Sequence, residues 1–265
     1  MSESPIYSRP ALRPVRYVAE PSQVREISVR GSAELAFWTK RLRAEDLIPL
    51  EIGGKAQIMV VAAELKFAGI RFTEVSFSVL LLMPANAPWN DAAFLVHAFN
   101  SCRPFAFCER VFFKTPYSHG RCRVSVAAPA FIEVVAGDGA SFALAMGAAP
   151  AAGSREMSRR TGERWEGPIF LPRTARHAES SFFFGRMKGE TQTRPFNTAE
   201  DTMKIPANGR DRVFRMVLES GFTPKTWTVR ADAVHGKSRT FRRTELPNFH
   251  ESHKSDRYET TPCTK

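Results

Sequence analysis

The stretch from Ala56 to Met83 reads AQIMVVAAELKFAGIRFTEVSFSVLLLM, and it decides the fold class. It contains two runs rich in β-branched and aromatic residues, AQIMVVAAELKF and RFTEVSFSVLLLM, which are typical of strands on a buried, pleated surface. A third run, FLVHAF at 94–99, follows after the loop-forming residues Asn86–Asn90. Three consecutive strand patterns predict a sheet-based core.

Strand patterns continue on both sides of this stretch. Residues 27–38 (ISVRGSAELAFW) and 111–113 have strand character, and 121–128 with 130–137 form a hairpin pattern. Residues 226–243 (TWTVRADAVHGKSRTFRR) predict one more strand pair, and 212–220 fit either a strand or a helix. Helical patterns are few: a short one at 39–46 and a mild one at 91–110.

The arrangement of these patterns predicts an all-β or β-dominated α+β fold. There is no βαβ alternation, which a parallel α/β sheet would require. The chain has 21 phenylalanines, several in runs such as 182–184. A closed or strongly coiled antiparallel sheet would keep such aromatic strands from being left as exposed edges.

Composition divides the chain into three parts. Residues 1–26 are predicted to form a loose arm rich in Pro, Ser and Arg, residues 27–245 a single domain, and residues 246–265 a polar tail. Within the domain, the Ala-, Gly- and Arg-rich segment 147–168 is predicted to be an exposed connection.

The formal net charge of +11 is spread unevenly. Residues 151–265 hold 22 Lys and Arg against 14 Asp and Glu, a net of +8, and residues 1–150 hold 16 against 13, a net of +3. A basic surface attracts anions, so acidic metabolites, nucleic acid and anionic membranes are all electrostatically compatible. The chain has no helix-turn-helix, zinc-finger or base-stacking motif, so no nucleic-acid partner is predicted.

Cysteine usage and hydropathy predict a cytoplasmic protein without a membrane partner. The four cysteines show no CxxC pair and are expected to be reduced thiols: Cys102, Cys108, Cys122 and Cys263. The first residues lack the apolar core of a secretory signal, and the most apolar stretch, 75–84, is too short to span a bilayer. Self-association into a homo-oligomer stays open.

Motifs for common catalytic and cofactor sites are absent from the sequence. It has no GxSxG, GxxxxGK[ST], HExxH or helix-opening GxGxxG motif. The six histidines are scattered without ligand spacing. We therefore predict neither a metal site nor a cofactor.

Three charged residues stand in apolar strand patterns and are candidates for chemistry. Glu74 lies in FTEVSFSVLLL, where a buried carboxylate needs a partner or a task, although an outward-facing Glu on an alternating strand would need neither. Arg30 precedes Gly31, whose missing side chain would let a ligand or backbone approach. Lys114 follows Phe113, and desolvation by aromatic rings favours the neutral amine that attacks ketones.

At these residues the chain resembles the acetoacetate decarboxylase superfamily. The similarity covers about residues 27–135, and it rests on the order and spacing of three motifs: VRGSAELAFWTKRLRAEDLIPLEI, FTEVSFSVLL and CERVFFKTPYSHG. It implies a closed antiparallel β-barrel around a cavity for a small oxo-acid or another small carboxylate. Arg30 and Phe72 would bind the ligand, together with Phe113 and Ser118. Glu74 would orient it or move a proton.

The residue that departs from the family pattern is the Schiff-base lysine. Members of the family carry two adjacent lysines after the proline, and the second lowers the pKa of the first. Aligned on Pro116, these positions hold Tyr117 and Ser118; aligned on Glu109, they hold Thr115 and Pro116. Lys114 matches under neither alignment, so the chain is closer to a lysine-lacking branch of the superfamily.

Two functions follow from the sequence. The first is an enzyme acting on a small oxo-acid, with Lys114 or Tyr117 as the reacting group; a tyrosine would direct the chemistry towards enolisation or hydration rather than efficient decarboxylation. The second is a non-catalytic descendant of the fold that binds a small molecule or a partner.

Overall fold

The computed structural model describes residues 15–85, 87–147, 158–173, 179–206 and 211–246. In this part of the chain strands predominate: Tyr17–Ala19 (β1), Val24–Glu34 (β2), Glu51–Ile52 (β3), Lys55–Phe67 (β4), Ile70–Leu80 (β5), Ala93–Asn100 (β6), Tyr117–Ser125 (β7), Phe131–Ala136 (β8), Ser141–Ala145 (β9), Ser158–Leu171 (β10), Ser181–Pro195 (β11), Thr202–Lys204 (β12) and Thr223–Arg242 (β13). The helices are Leu35–Leu42 (α1), Arg103–Phe112 (α2) and Arg212–Glu219 (α3), with 3-10 turns at Arg43–Glu45 and Arg243–Glu245. The prediction of a mostly β fold with few helices is confirmed.

The strands form a ring with an extension. Hydrogen-bonded neighbours follow the order β10-β11-β13-β2-β4-β5-β6, and β6 also pairs with β10, so the order returns to its start. From β6 the sheet continues through β7, β8, β9 and β12.

Pairing is parallel at two places, both on β6. β6 runs parallel to β10 and to β7, and the other pairs between described strands are antiparallel. The purely antiparallel sheet of the sequence prediction is therefore wrong at β6. Helix α2 connects β6 to β7, and a helical connection of this kind allows the second strand to run parallel to the first.

Both faces of β4 are apolar because both are covered. Ile58 and Val60 pack into the main core, whereas the alternate residues Met59 and Val61 line a cavity on the other face. Successive strand residues point to opposite faces, so this strand reads as an almost continuous apolar run in the sequence.

The neighbouring strand β5 separates apolar from polar side chains in the same way. Val75 and Phe77 are buried in the main core, where the Phe77 ring lies 6.0 Å from that of Phe214 on α3. Glu74 and Ser76 face the cavity. The core therefore fixes which face of β5 its polar residues present.

The predicted boundaries of the arm, the connection and the tail need correction. Tyr17–Ala19 and the start of β2 are strands, so the loose arm predicted for 1–26 is wrong for its last part. Strand β10 occupies 158–168 of the connection predicted for 147–168, and Leu246, the first residue of the predicted tail, is buried. Residues 1–14, 148–157 and 247–265 lie outside the described residues. The unity of 27–245 as one domain stays a prediction.

Several local predictions also differ from the structure. The hairpin of 121–128 with 130–137 is confirmed as β7 and β8. The strand pair predicted for 226–243 is one long strand, β13, and the strand character predicted for 111–113 belongs to the end of α2. The segment 212–220, left open between strand and helix, forms α3, whose first turn is capped by the Asp211 carboxylate.

Candidate functional site

Strands of the ring and helix α2 surround a cavity of about 590 Å³. Apolar side chains make up most of its wall, among them Met59, Leu95, Ile169 and Phe183. The lining also contains titratable side chains: Glu74, Cys108, Glu109, Tyr117, Arg186, His235 and Lys237. Charged groups in such an apolar space are costly without partners, so their pairing decides what the site can do.

Glu74 and Tyr117 form the first pair. The Tyr117 hydroxyl donates to Oε2 of Glu74 over 3.4 Å. Burial raises the pKa of Glu74, and the negative charge of Glu109 raises it further, against the opposing charges of Lys237 and His235. Burial and the Glu74 charge also raise the pKa of Tyr117 well above its usual value. Glu74 is therefore protonated more readily than an ordinary carboxyl.

Lys237 and Glu109 form the second pair. The Lys237 ammonium contacts Oε2 of Glu109 and lies 4.7 Å from the ring centroids of both Phe113 and Phe183. The Thr115 hydroxyl donates to the same Glu109 oxygen over 2.7 Å. Aromatic faces and a carboxylate both stabilise an ammonium ion, so Lys237 provides a fixed cation in the cavity.

The third group links His235 to a buried ion pair. Glu26 is fully buried, and its carboxylate accepts from Arg230 Nη1 over 2.5 Å and contacts His235 Nε2 at 2.6 Å. Burial alone would raise the pKa of Glu26, but the hydrogen bond and charge of His235 and the charge of Arg230 outweigh it and lower the pKa. An ionised carboxylate can only accept hydrogen bonds, so Nε2 of His235 carries the hydrogen of this contact. Nδ1 is the ring nitrogen that the contact with Glu26 does not use.

Four of the predicted site residues line the cavity: Phe72, Glu74, Phe113 and Tyr117. The Phe72 ring packs edge-on against Phe105 of α2 at 4.7 Å. Glu74 and Tyr117 enter from β5 and the first residue of β7. Their functions in binding or catalysis stay predictions.

The predicted position of Arg30 in the site is wrong. Arg30 is exposed and does not line the cavity. It lies opposite Met59, and Met59 lies opposite Ser78, four residues along β5 from Glu74. At about 3.3 Å per residue, this places Arg30 and Glu74 about 13 Å apart along the strands.

Lys114 and Ser118 also lie outside the cavity lining. Lys114 is exposed and left-handed, with φ = +58°, because it is the first residue beyond the α2 C-cap, where this conformation ends helices. Ser118 follows Tyr117 in β7, and successive strand residues point to opposite faces. Since Tyr117 faces the cavity, Ser118 cannot.

Sequence reasoning missed Glu26, His235 and Lys237. Glu26 was assigned to the arm, although it stands one residue before an apolar strand pattern. His235 and Lys237 lie in the C-terminal half, where the resemblance gave no motif. The available signal was their spacing: two residues apart in AVHGKSRT, they share one face of a strand.

Two searches for other kinds of site gave negative results. Among the described residues, no group of three or more His, Cys, Asp or Glu side chains is placed to hold a metal ion. None of the described helices is long and apolar enough to cross a membrane.

This ring and its extension belong to the acetoacetate decarboxylase-like fold class. The crystal structure of acetoacetate decarboxylase from Legionella pneumophila aligns with 90% of this chain and 94% of its own, at 10% identity and a TM-score of 0.57. A second acetoacetate decarboxylase structure covers 86% of this chain and 90% of its own, at 9% identity and a TM-score of 0.56.

A third similar structure is MppR, an enduracididine biosynthesis enzyme complexed with the condensation product of pyruvate and imidazole 4-carboxaldehyde. It aligns with 91% of this chain and 97% of its own, at 9% identity and a TM-score of 0.51. At such identities the likeness shows the fold alone. No protein-family model matches the chain, and a search of curated proteins gave no match.

Proposed function

We propose that the ring of strands is a closed barrel around a ligand site, and that this site binds a small oxo-acid or a related carboxylated ligand. We further propose that the protein catalyses proton transfer on this ligand and is not an efficient decarboxylase. One observation supports this most directly: a cation, Lys237, and a carboxyl with a raised pKa, Glu74, line the same apolar cavity.

In this proposal Lys237 binds the ligand carboxylate, the role that the sequence analysis gave to Arg30. A ligand carboxylate that enters an apolar cavity needs a cation, and charge-assisted hydrogen bonds are the strongest that a side chain can offer. The Lys237 ammonium has three donors, of which Glu109 occupies one. The remaining donors are available to the ligand.

Glu74 and His235 supply an acid and a base. In the proposed step, His235 takes a proton from the carbon next to the ketone, and the positive charge that it gains is stabilised by Glu26, while Glu74 gives a proton to the carbonyl oxygen. The product is the enol, and the reverse step restores both groups. A raised carboxyl pKa suits the acid, because efficient proton transfer needs a pKa near the working pH.

A second polar contact is available from Trp165. Trp165 lines the cavity, and its indole Nε1 is buried and has no hydrogen-bond partner among the described residues. An unpaired buried donor costs free energy that an acceptor on the ligand would recover. A ligand oxygen at this position would be the third point of attachment.

Schiff-base decarboxylation is disfavoured by the surroundings of the cavity lysine. Attack on a ketone needs a neutral amine. Lys237 instead contacts a carboxylate and three aromatic faces, and its sequence neighbours are Gly236 and Ser238 rather than a second lysine. These contacts favour a non-covalent cation.

The test is hydrogen exchange on pyruvate and 2-oxobutyrate in D₂O, followed by proton NMR. We expect exchange at the carbon next to the ketone, loss of at least about tenfold in Glu74→Gln, and weaker binding in Lys237→Met. Lys114→Met is the matched control and should behave as the wild type. A borohydride-trapped adduct on Lys237 would overturn the proposal in favour of Schiff-base chemistry.

A non-catalytic binding protein is the second candidate. It is supported by the mutual pairing of Lys237 with Glu109 and of His235 with Glu26, which leaves each charge satisfied without a substrate. Calorimetric binding of the same oxo-acids without hydrogen exchange would favour it.

We also retain the proposal of a cytoplasmic location, which the free thiols of Cys102, Cys108 and Cys122 support.

A further inference from the structure

The mouth of the cavity is surrounded by exposed apolar side chains. Phe112 is 70% exposed and Phe107 is 53% exposed, which is unusual for large aromatic residues of a helix. We call this surface the mouth patch, and it consists of Val18, Phe67, Ile70, Phe107, Val111 and Phe112.

The members of the mouth patch come from four elements that meet at one end of the ring: β1, β4, β5 and α2. Val18 of β1, Phe67 at the end of β4 and Phe112 of α2 all line the cavity. Ile70 lies opposite Phe67 across the β4–β5 turn. The Phe67 ring lies 6.4 Å from that of Phe105, which joins this turn to α2.

Helix α2 is apolar on both of its sides. Phe105, Cys108 and Phe112 line the cavity, whereas Phe107 and Val111, one turn apart, lie on the opposite side of the helix. Among the ten residues of α2, Ala106 alone is buried. A helix with this much uncovered apolar surface is typical of a contact site for a partner or a membrane.

Basic residues surround the mouth patch. Lys66 and Arg71 flank Phe67 and Ile70, and Arg103, Arg110 and Lys114 lie on or next to α2; all five are exposed. The acidic Glu109 on the cavity side of α2 is already paired with Lys237. Arg71 has a loose contact to Glu64 at 3.8 Å. The surface therefore combines apolar side chains at the centre with positive charge at the edge.

We propose that the mouth patch docks on the surface of an anionic lipid bilayer. Aromatic and aliphatic side chains enter the boundary between headgroups and acyl chains, and Lys and Arg contact anionic headgroups. A second copy of the chain fits this surface less well. A two-fold contact would bring the same basic residues together, and like charges across an interface disfavour association.

The experiment is co-sedimentation of the full-length protein with vesicles of phosphatidylcholine, alone or with phosphatidylglycerol. We expect binding to the anionic vesicles that weakens as salt is raised. The double variants Phe107→Ser with Val111→Ser and Arg103→Gln with Arg110→Gln should each lose binding about tenfold or more, since both surface insertion and charge contribute. None of these four residues lines the cavity, so oxo-acid binding should be retained.

The matched control is on helix α3, which exposes Leu218 and Arg215 in the same way. Leu218→Ser with Arg215→Gln should leave vesicle binding unchanged. Equal binding to both kinds of vesicle, or no binding to either, would overturn the proposal. A dimer in solution that dissociates in Phe107→Ser with Val111→Ser would overturn it too, because the second copy would then be the occupant.

Discussion

Glu26 and Glu74 lie at one level of the sheet, with a single residue between them. Ala63 of β4 is opposite Glu26 on one side and opposite Glu74 on the other. Even so, the pKa of Glu26 is lowered and that of Glu74 is raised. The difference follows from partners: Glu26 contacts Arg230 and His235, whereas the direct contact of Glu74 is a tyrosine hydroxyl. Environments that shift the pKa values of two neighbouring carboxyls in opposite directions are typical of acid–base sites.

Removing the Glu26 charge should destabilise the protein strongly. Glu26→Gln removes a buried carboxylate that contacts both His235 and the guanidinium of Arg230, whose side chain is 6% exposed. Breaking one partner of a buried ion pair costs about 3–5 kcal/mol. The free energy of unfolding from urea denaturation measures this. Glu64→Gln is the control, because its pairs with Arg25 and Arg71 are exposed and should cost less than about 1 kcal/mol. Equal effects in the two variants would contradict the buried pair.

Glu74→Gln should stabilise the protein at neutral pH and do so less in acid. A carboxyl whose folded-state pKa is raised loses stability as pH rises from its unfolded pKa towards the folded one. Glutamine removes that loss, at about 1.4 kcal/mol for each unit of pKa displacement. Urea unfolding from about pH 4 to pH 7 checks the trend, since unfolded Glu titrates near 4.3. If Glu74→Gln instead lost stability relative to the wild type as pH rises, a raised Glu74 pKa would be refuted.

Gly31→Ala should destabilise the fold by about 1–3 kcal/mol through overpacking. A Cβ atom there would come within 2.4 Å of the Thr223 carbonyl oxygen and 2.5 Å of the Phe222 ring. Gly137 is the matched control, because a Cβ atom there meets nothing within 4 Å. Thermal unfolding of both alanine variants provides the comparison, and equal melting temperatures would argue against the tight contact of β2 with β13.

Arg30→Gln should change stability by no more than about 0.5 kcal/mol, as exposed substitutions usually do. It should also leave the pKa of Glu74 where it is, because the two side chains are four residues apart in register. Carbon-13 NMR of the Glu74 carboxyl measures the pKa directly. A changed pKa of Glu74, or a loss of several kcal/mol in the free energy of unfolding, would show that Arg30 belongs to the site.

Trp165→Phe should weaken oxo-acid binding about tenfold while leaving stability unchanged or improved, because it removes a buried donor that has no partner in the described part of the protein. Trp227→Phe is the contrasting variant. Its Nε1 donates to Asp201 Oδ2 over 2.8 Å, so its loss should cost about 1–3 kcal/mol of stability. Calorimetry and urea unfolding separate the two effects. Unchanged affinity in Trp165→Phe would exclude this contact to the ligand.

The sequence predicted the mostly β fold, and its motifs led to the acetoacetate decarboxylase-like fold, because both depend on local patterns. The resemblance placed Glu74 and Tyr117 in the site, and both line the cavity. The predicted gap at Gly31 is likewise present, and the Thr223 backbone fills it.

What the sequence could not predict depends on pairing between distant segments. The position of Arg30 relative to Glu74 is a matter of register across β2, β4 and β5, which local patterns leave open. Lys237 enters the cavity because β13 pairs with β11 and β2, far away in the chain. Lys114 was misplaced because the helix before it was read as a strand.

The parallel pair of β6 with β10 has a consequence for how the cavity comes into being. It pairs Ala93 with Ile169 and Phe94 with Phe170, and these two residue pairs connect the two ends of the ring of strands. A nascent chain that ends before β10 can form the β4–β5 hairpin, but it cannot enclose a cavity. The pocket therefore forms only once segments far apart in the sequence have paired, and just two residue pairs are in register where β6 meets β10. Amide protons between β6 and β10 should exchange with solvent sooner than those between β4 and β5, where ten residue pairs are in register.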